Sequence, residues 1–150
     1  MKRIWGILVA VLALLGGGLM LAPAAQASGY GCSGNLIDNY PVTYSGSTFG
    51  NVYLYYDSST GKNCAVTVSN SSHGYGSSKW MVVELEKCTQ TVDTGTCSSY
   101  SPAQEVKDQG NYLYQAGPVS ISAAGHCILI YGRIDWAGNT GGAFDIGHCG

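Results

Sequence analysis

All six cysteines of this 150-residue chain (Cys32, Cys64, Cys88, Cys97, Cys127 and Cys149) fall after residue 31. An even cysteine count downstream of an export leader reads as three disulfides rather than as free thiols. The residues supply such a leader. Met1-Lys2-Arg3 is basic, "IWGILVAVLALLGGGLMLA" carries no charge, and Ala25-Gln26-Ala27 offers small residues where a signal peptidase reads them. The apolar run approaches the length of a membrane span, but Gly16, Gly17 and Gly18 weaken it as a helix. Tyr30-Gly31-Cys32 lacks the aliphatic residue expected before a lipidated cysteine. The expectation is a signal peptide over 1–27, cleaved after Ala27. One exported, disulfide-stapled domain over 28–150 then remains, with no membrane partner once the leader is removed.

Without Lys2 and Arg3, five basic side chains (Lys62, Lys79, Lys87, Lys107 and Arg133) stand against nine acidic ones, a net of −4. Five scattered cations cannot track a phosphate backbone, so nucleic acid is excluded as an expected partner. No basic amphipathic helix is present to hold a membrane surface. The domain is rich in glycine, serine and tyrosine and poor in charge, a composition that suits an extracellular β protein.

Short β-branched and aromatic runs recur, punctuated by glycine, asparagine, serine and proline. "NVYLYYDSSTGKNCAVTVS" predicts a hairpin, with strands over 52–56 and 64–69. "KWMVVELEKC" predicts a strand with Met81, Val83 and Leu85 on one face and Glu84 and Glu86 on the other. "NYLYQAGPVSISA" predicts two strand pieces bent at Gly117-Pro118, with Val119 and Ile121 on one face and Ser120 and Ser122 on the other. The apolar residues of "CILIYGRI" do not alternate, which predicts a central strand buried on both faces. "SSYSPAQEVKDQG" and "WAGNTGGAF" read as loops. Six or so short strands without a substantial helix predict an all-β fold, an antiparallel β-sandwich or small barrel.

Two Gly-His-Cys tripeptides, at His126-Cys127 and His148-Cys149, contain a zinc-like ligand set by residue type. Strand alternation separates each histidine from its neighbouring cysteine, and an oxidising environment favours sulfur–sulfur bonds. Neither a metal nor any other cofactor is therefore expected. Cys88 and Cys97 bracket a turn-forming Asp-Thr-Gly and are expected to pair. The other four cysteines leave three pairings. One of them joins Cys64 to Cys127, each at the start of a strand, and leaves Cys32 to tie the chain ends together with Cys149.

Glu84 and Glu86, with Asp135 or Asp145, are the carboxylates of a hydrolase reading. Glycosidase pairs come from opposite walls of a cleft, however, whereas Glu84 and Glu86 share one strand face beside Lys79 and Lys87, as a solvated outer face would. No Gly-x-Ser-x-Gly nucleophile elbow is present, and His73 is a lone loop histidine. No catalytic residue is assigned, and the chain is not expected to be an enzyme. Eleven tyrosines are the compositional oddity. Tyr53 and Tyr55 share one strand face, and Tyr112 and Tyr114 share another. Such stripes serve either as cross-strand pairing or as a platform for sugar rings. Tyr53, Tyr55, Trp80 and Trp136 are the candidate ligand-binding residues.

Taken together, "CSGNLIDNYPV", "LYYDSSTGKNCAVTV", the Cys88/Cys97 pair, "GNYLYQAGPVSISAAGHC" and the terminal "HCG" resemble the spore-associated protein A family. The family comprises small exported proteins of filamentous spore-forming bacteria. The resemblance spans nearly all of 28–150 and carries no catalytic signature. It implies a secreted component of the spore or cell surface, with the cysteines as structural bridges. A polysaccharide or protein of the cell wall or spore surface is then the expected partner. The alternative from a different class is a carbohydrate-binding module built on the exposed tyrosines and tryptophans.

Overall fold

The computed structural model describes residues 29–150, and the leader expected over 1–27 lies outside them. Eight strands follow one another: β1 Asn35–Tyr44, β2 Ser47–Asp57, β3 Lys62–Ser69, β4 Lys79–Lys87, β5 Glu105–Tyr112, β6 Gln115–Ser122, β7 Ile128–Trp136 and β8 Asn139–Gly147. They form one antiparallel sheet in the order β5-β4-β7-β8-β1-β2-β3-β6, and the described residues include no helix.

The turns explain much of the pairing. Ser45 and Gly46 both take positive φ between Tyr44 and Ser47, as do Ala137 and Gly138 between Trp136 and Asn139. Two successive left-handed residues give the turn whose twist matches paired strands. Between β2 and β3, the Asp57 carboxylate accepts from the Ser59 backbone at 2.9 Å and from its hydroxyl at 2.6 Å. Gly61 N donates to the Asp57 carbonyl and closes that turn.

The sheet curls into a nearly closed barrel. Its two end strands, β5 and β6, are joined by the turn at Leu113-Tyr114 and lie side by side without a ladder. Asp108 of β5 bridges this seam, accepting the Gly117 amide of β6 at 2.6 Å and the Tyr112 hydroxyl at 2.5 Å. A second weak seam separates β1 from β8, which pair only at Thr43 and Gly142. The interior is filled from the inward faces by Leu54, Met81, Leu85, Ile128, Ile130 and Ile134, among others. Gly132 also faces inward. A Cβ there would overlap Val52 and approach Thr67 Oγ1 to 2.8 Å, so a bare backbone lets the walls meet across the core.

Several expectations need correction. β1 forms where no strand was expected, and β8 forms inside "WAGNTGGAF" and its continuation. β5 starts within the segment read as a loop and ends at Tyr112, so the two strand pieces part at Leu113-Tyr114, while β6 runs through Gly117-Pro118. β7 does have a neighbour on each side, but its burial alternates. Ile128, Ile130 and Ile134 point inward, while Leu129, Tyr131 and Arg133 are half-buried on the outer face.

The disulfides join Cys32 to Cys64, Cys88 to Cys97 and Cys127 to Cys149. The suggested bonds Cys64–Cys127 and Cys32–Cys149 are therefore wrong. β3 and β7 stand four strands apart in either direction round the nearly closed barrel, and Cys64 belongs to the outer cluster with Tyr55, which keeps Cys64 from Cys127. The β7–β8 register, with Ile128 opposite Gly147, brings Cys127 beside the residues that follow β8. The two Gly-His-Cys tripeptides are thus bonded to each other.

Candidate functional site

On β2, Asn51, Tyr53 and Tyr55 point outward, opposite Val68, Val66 and Cys64 of β3. The N-terminal segment crosses this outer face, pinned by Cys32–Cys64. It seals a second small core of Cys32, Tyr55, Cys64, Val66 and Val68. Tyr55 is accordingly only 5% exposed and cannot offer its face to a ligand. The same crossing brings Tyr30 onto Tyr53, with the rings stacked at 5.0 Å. Gln115 of β6 holds the segment from the other side, donating to the Tyr30 carbonyl at 3.1 Å.

Beside this stack runs a groove of about 220 Å³ lined by Tyr30, Asn51, Tyr53, Val68, Ser69, Asn70, Ser71 and Tyr75. Its far wall belongs to the loop between β3 and β4. Tyr75 there meets Tyr114 of the β5–β6 turn, with ring centroids 4.8 Å apart. Tyr30, Tyr75 and Tyr114 are all exposed. No lining residue is charged. Burial, and then Tyr53, push the Tyr30 hydroxyl above its ordinary range, so it remains a neutral donor.

Three supports hold this loop. Lys79, only 5% exposed, donates from Nζ to the carbonyls of Gly74 at 2.7 Å, Ser77 at 3.0 Å and Leu113 at 2.9 Å. It thereby ties the Tyr75 loop to the Tyr114 turn. Burial lowers its pKa, and no carboxylate among the described residues pairs with it. Asn70 forms the second support: Nδ2 donates to the Thr48 carbonyl, Oδ1 meets His73 Nδ1 at 2.9 Å, and the backbone carbonyl receives the Tyr75 amide. His73 stacks on Phe49 at 4.8 Å. Trp136 is the third, packed so closely against Gly74 that a Cβ there would overlap its ring.

Of the four sequence candidates, only Tyr53 lines this groove. Tyr55 is buried, Trp136 buttresses the loop from behind, and Trp80 stands on the outer face of β4 opposite Asn111. Tyr30 and Tyr75 were not singled out. The glycine-rich "NSSHGYG" around Tyr75 was the available signal, since such turns expose the side chain at their apex.

The carboxylates of the hydrolase reading do not gather at one cleft. Glu84 pairs with Lys107 at 2.6 Å, and Asp135 pairs with Arg133 through two bonds of 2.7 Å. Asp145 lies by Tyr40 at one end of the barrel. There the Tyr40 hydroxyl and His148 Nε2 are hydrogen-bonded at 2.7 Å, with Asp38 3.5 Å from the same nitrogen. Burial, Asp145 and Asp38 together push the Tyr40 hydroxyl far up. His126, by contrast, meets Tyr100 at 3.1 Å, so the histidines of the two tripeptides serve separate contacts.

No family profile matches the chain, and no solved structure matches it. Among the described residues, no helix is long and apolar enough to cross a membrane. The chain is 32% identical to spore-associated protein A of Streptomyces coelicolor, in a comparison covering 94% of this chain and 82% of that protein. At that identity and coverage, the chain belongs to the spore-associated protein A family.

Proposed function

We propose that this protein is a secreted, non-catalytic component of the spore or cell surface that binds neutral polysaccharide in the tyrosine groove. The observation that carries the proposal is the lining itself. Rings from Tyr30, Tyr53 and Tyr75 share the lining with the amide of Asn51 and the hydroxyl of Ser71. A sugar ring has an apolar C–H face that stacks on aromatics and an equatorial rim of hydroxyls that needs amide and hydroxyl partners. The lack of lining charge favours a neutral glycan over a phosphate or an acidic peptide.

The test is retention of the purified protein on insoluble peptidoglycan and chitin. Tyr30→Ala and Tyr75→Ala should each weaken binding by about 1 kcal/mol, roughly fivefold, and the double variant by more. Trp80→Ala, on another face, should leave retention unchanged. If the double variant is retained like the parent, the groove is not the binding surface. A parent protein that is not retained at all favours a purely structural role.

A further inference from the structure

The chain contains three glutamates, Glu84, Glu86 and Glu105, and the fold brings a carboxylate oxygen from each to within 4.8 Å of the others. Glu84 and Glu86 lie on the face of β4 opposite the core residues Met81, Val83 and Leu85. Glu105 of β5 is the direct cross-strand partner of Glu86, and like charges so placed repel. Nearby cations offset this only in part, since Lys107 also feels Glu105 and no cation reaches Glu86 among the described residues. Lys107 is engaged by Glu84, Arg133 by Asp135, and Lys87 alternates to the other face, where it lies 5.4 Å from the Tyr100 ring centre.

Glu86 supplies an independent observation. It is flanked by Glu105 on β5 and Leu129 on β7 and is only 9% exposed. Its Oε1 is sealed from solvent and has no hydrogen-bond partner among the described residues. A buried carboxylate oxygen left without a partner is costly, and such atoms are rare in folded proteins.

We propose that Glu84, Glu86 and Glu105 bind a divalent cation of calcium's size and hardness, with water completing the shell. Three oxygens at calcium's coordination distance of about 2.3–2.6 Å can all stand up to about 4.0–4.5 Å apart, so a shift of a few tenths of an ångström in the exposed Glu105 side chain lets one ion touch all three carboxylates. Magnesium's shorter bonds, about 2.1 Å, and its rigid octahedron suit this spread less well. An all-oxygen set without histidine or cysteine does not select zinc. Three carboxylates on an outer sheet face correspond to a weak site, with a dissociation constant of about 10⁻⁴–10⁻³ M. The cluster is separate from the tyrosine groove and does not depend on the polysaccharide reading.

The test is calorimetric titration of the purified, disulfide-intact protein with calcium chloride, together with terbium luminescence sensitised by Tyr131, the cross-strand neighbour of Glu84. One calcium should bind per chain and raise the melting temperature. Glu105→Gln, at an exposed position, should keep the fold and weaken binding at least about tenfold, and Glu86→Gln should abolish it. Lys107→Met releases Glu84 and should tighten binding. Absence of binding by the folded parent overturns the assignment. So does binding that survives both glutamate substitutions, or binding that weakens in Lys107→Met. Should Glu86→Gln fail to fold, Glu105→Gln and Lys107→Met still decide the question.

Discussion

Lys79 does more for this molecule than its sequence neighbourhood suggests. As a charged residue at the start of a strand, it reads as part of a solvated face, yet it is buried and its ammonium satisfies three carbonyls from two loops. Replacement by methionine should cost about 2 kcal/mol in urea unfolding, because three carbonyls lose a charge-assisted donor. The same change should loosen the Tyr75 loop and lower glycan retention. A variant with unchanged stability would show that water replaces the ammonium without loss. Gly132 is the second sensitive position. Gly132→Ala places a methyl group against Val52 and should destabilise by about 1–3 kcal/mol through overpacking. Asp57 and Asp135 bear on acid stability. Hydrogen bonds from Ser59 hold Asp57 below the ordinary carboxylate range, and Arg133 does the same for Asp135. A depressed carboxylate stabilises fully above its unfolded value, about 4, and that stabilisation is lost as pH falls through the depressed value. Asp57→Asn should therefore flatten the loss of stability below about pH 4, followed by circular dichroism; an unchanged slope would remove Asp57 from the account.

At the level of elements, legibility tracked burial. β4 and β6 were readable because their apolar residues recur at period two on the face toward the core, Met81, Val83 and Leu85 in one and Val119 and Ile121 in the other. β5 was not, since "EVKDQGNY" pairs only with β4 and places Asp108 and Gly110 on its half-buried face, where apolar residues would have marked the alternation. β8 was hidden by its glycines, two of which, Gly141 and Gly142, lie in mid-strand. Tyr53 and Tyr55 do share a face, as alternation requires, but the segment clamped over Tyr55 comes from outside the strand. This strap also sets an order among the disulfides. Cys32–Cys64 closes a 32-residue separation and Cys88–Cys97 only 9. In the chain-entropy model their removal costs about 3–4 and about 2–3 kcal/mol respectively. Serine substitution of the first pair should also release Tyr30 and weaken glycan retention, whereas substitution of the second should leave retention intact. Equal loss from both would indicate a global effect instead of a local strap.

For the whole molecule, thiol titration under denaturing, non-reducing conditions should find no free cysteine, because all six are bonded. Detection of two or more free thiols would contradict the structure. The sandwich and barrel alternatives prove to be two descriptions of one sheet, whose weak seams at β1/β8 and β5/β6 divide it into two four-stranded halves. What the sequence by itself determined was the strand class, the alternation of several strands and the family, because these depend on local periodicity and on residue identities in order. What only the tertiary structure decided was the partner of each of four cysteines, the aromatic rings that stay exposed and the meeting of all three glutamates. Those outcomes depend on which strands become neighbours and on what crosses their outer faces. Strand order is set by the packing of the whole core, and no local stretch of the chain encodes it.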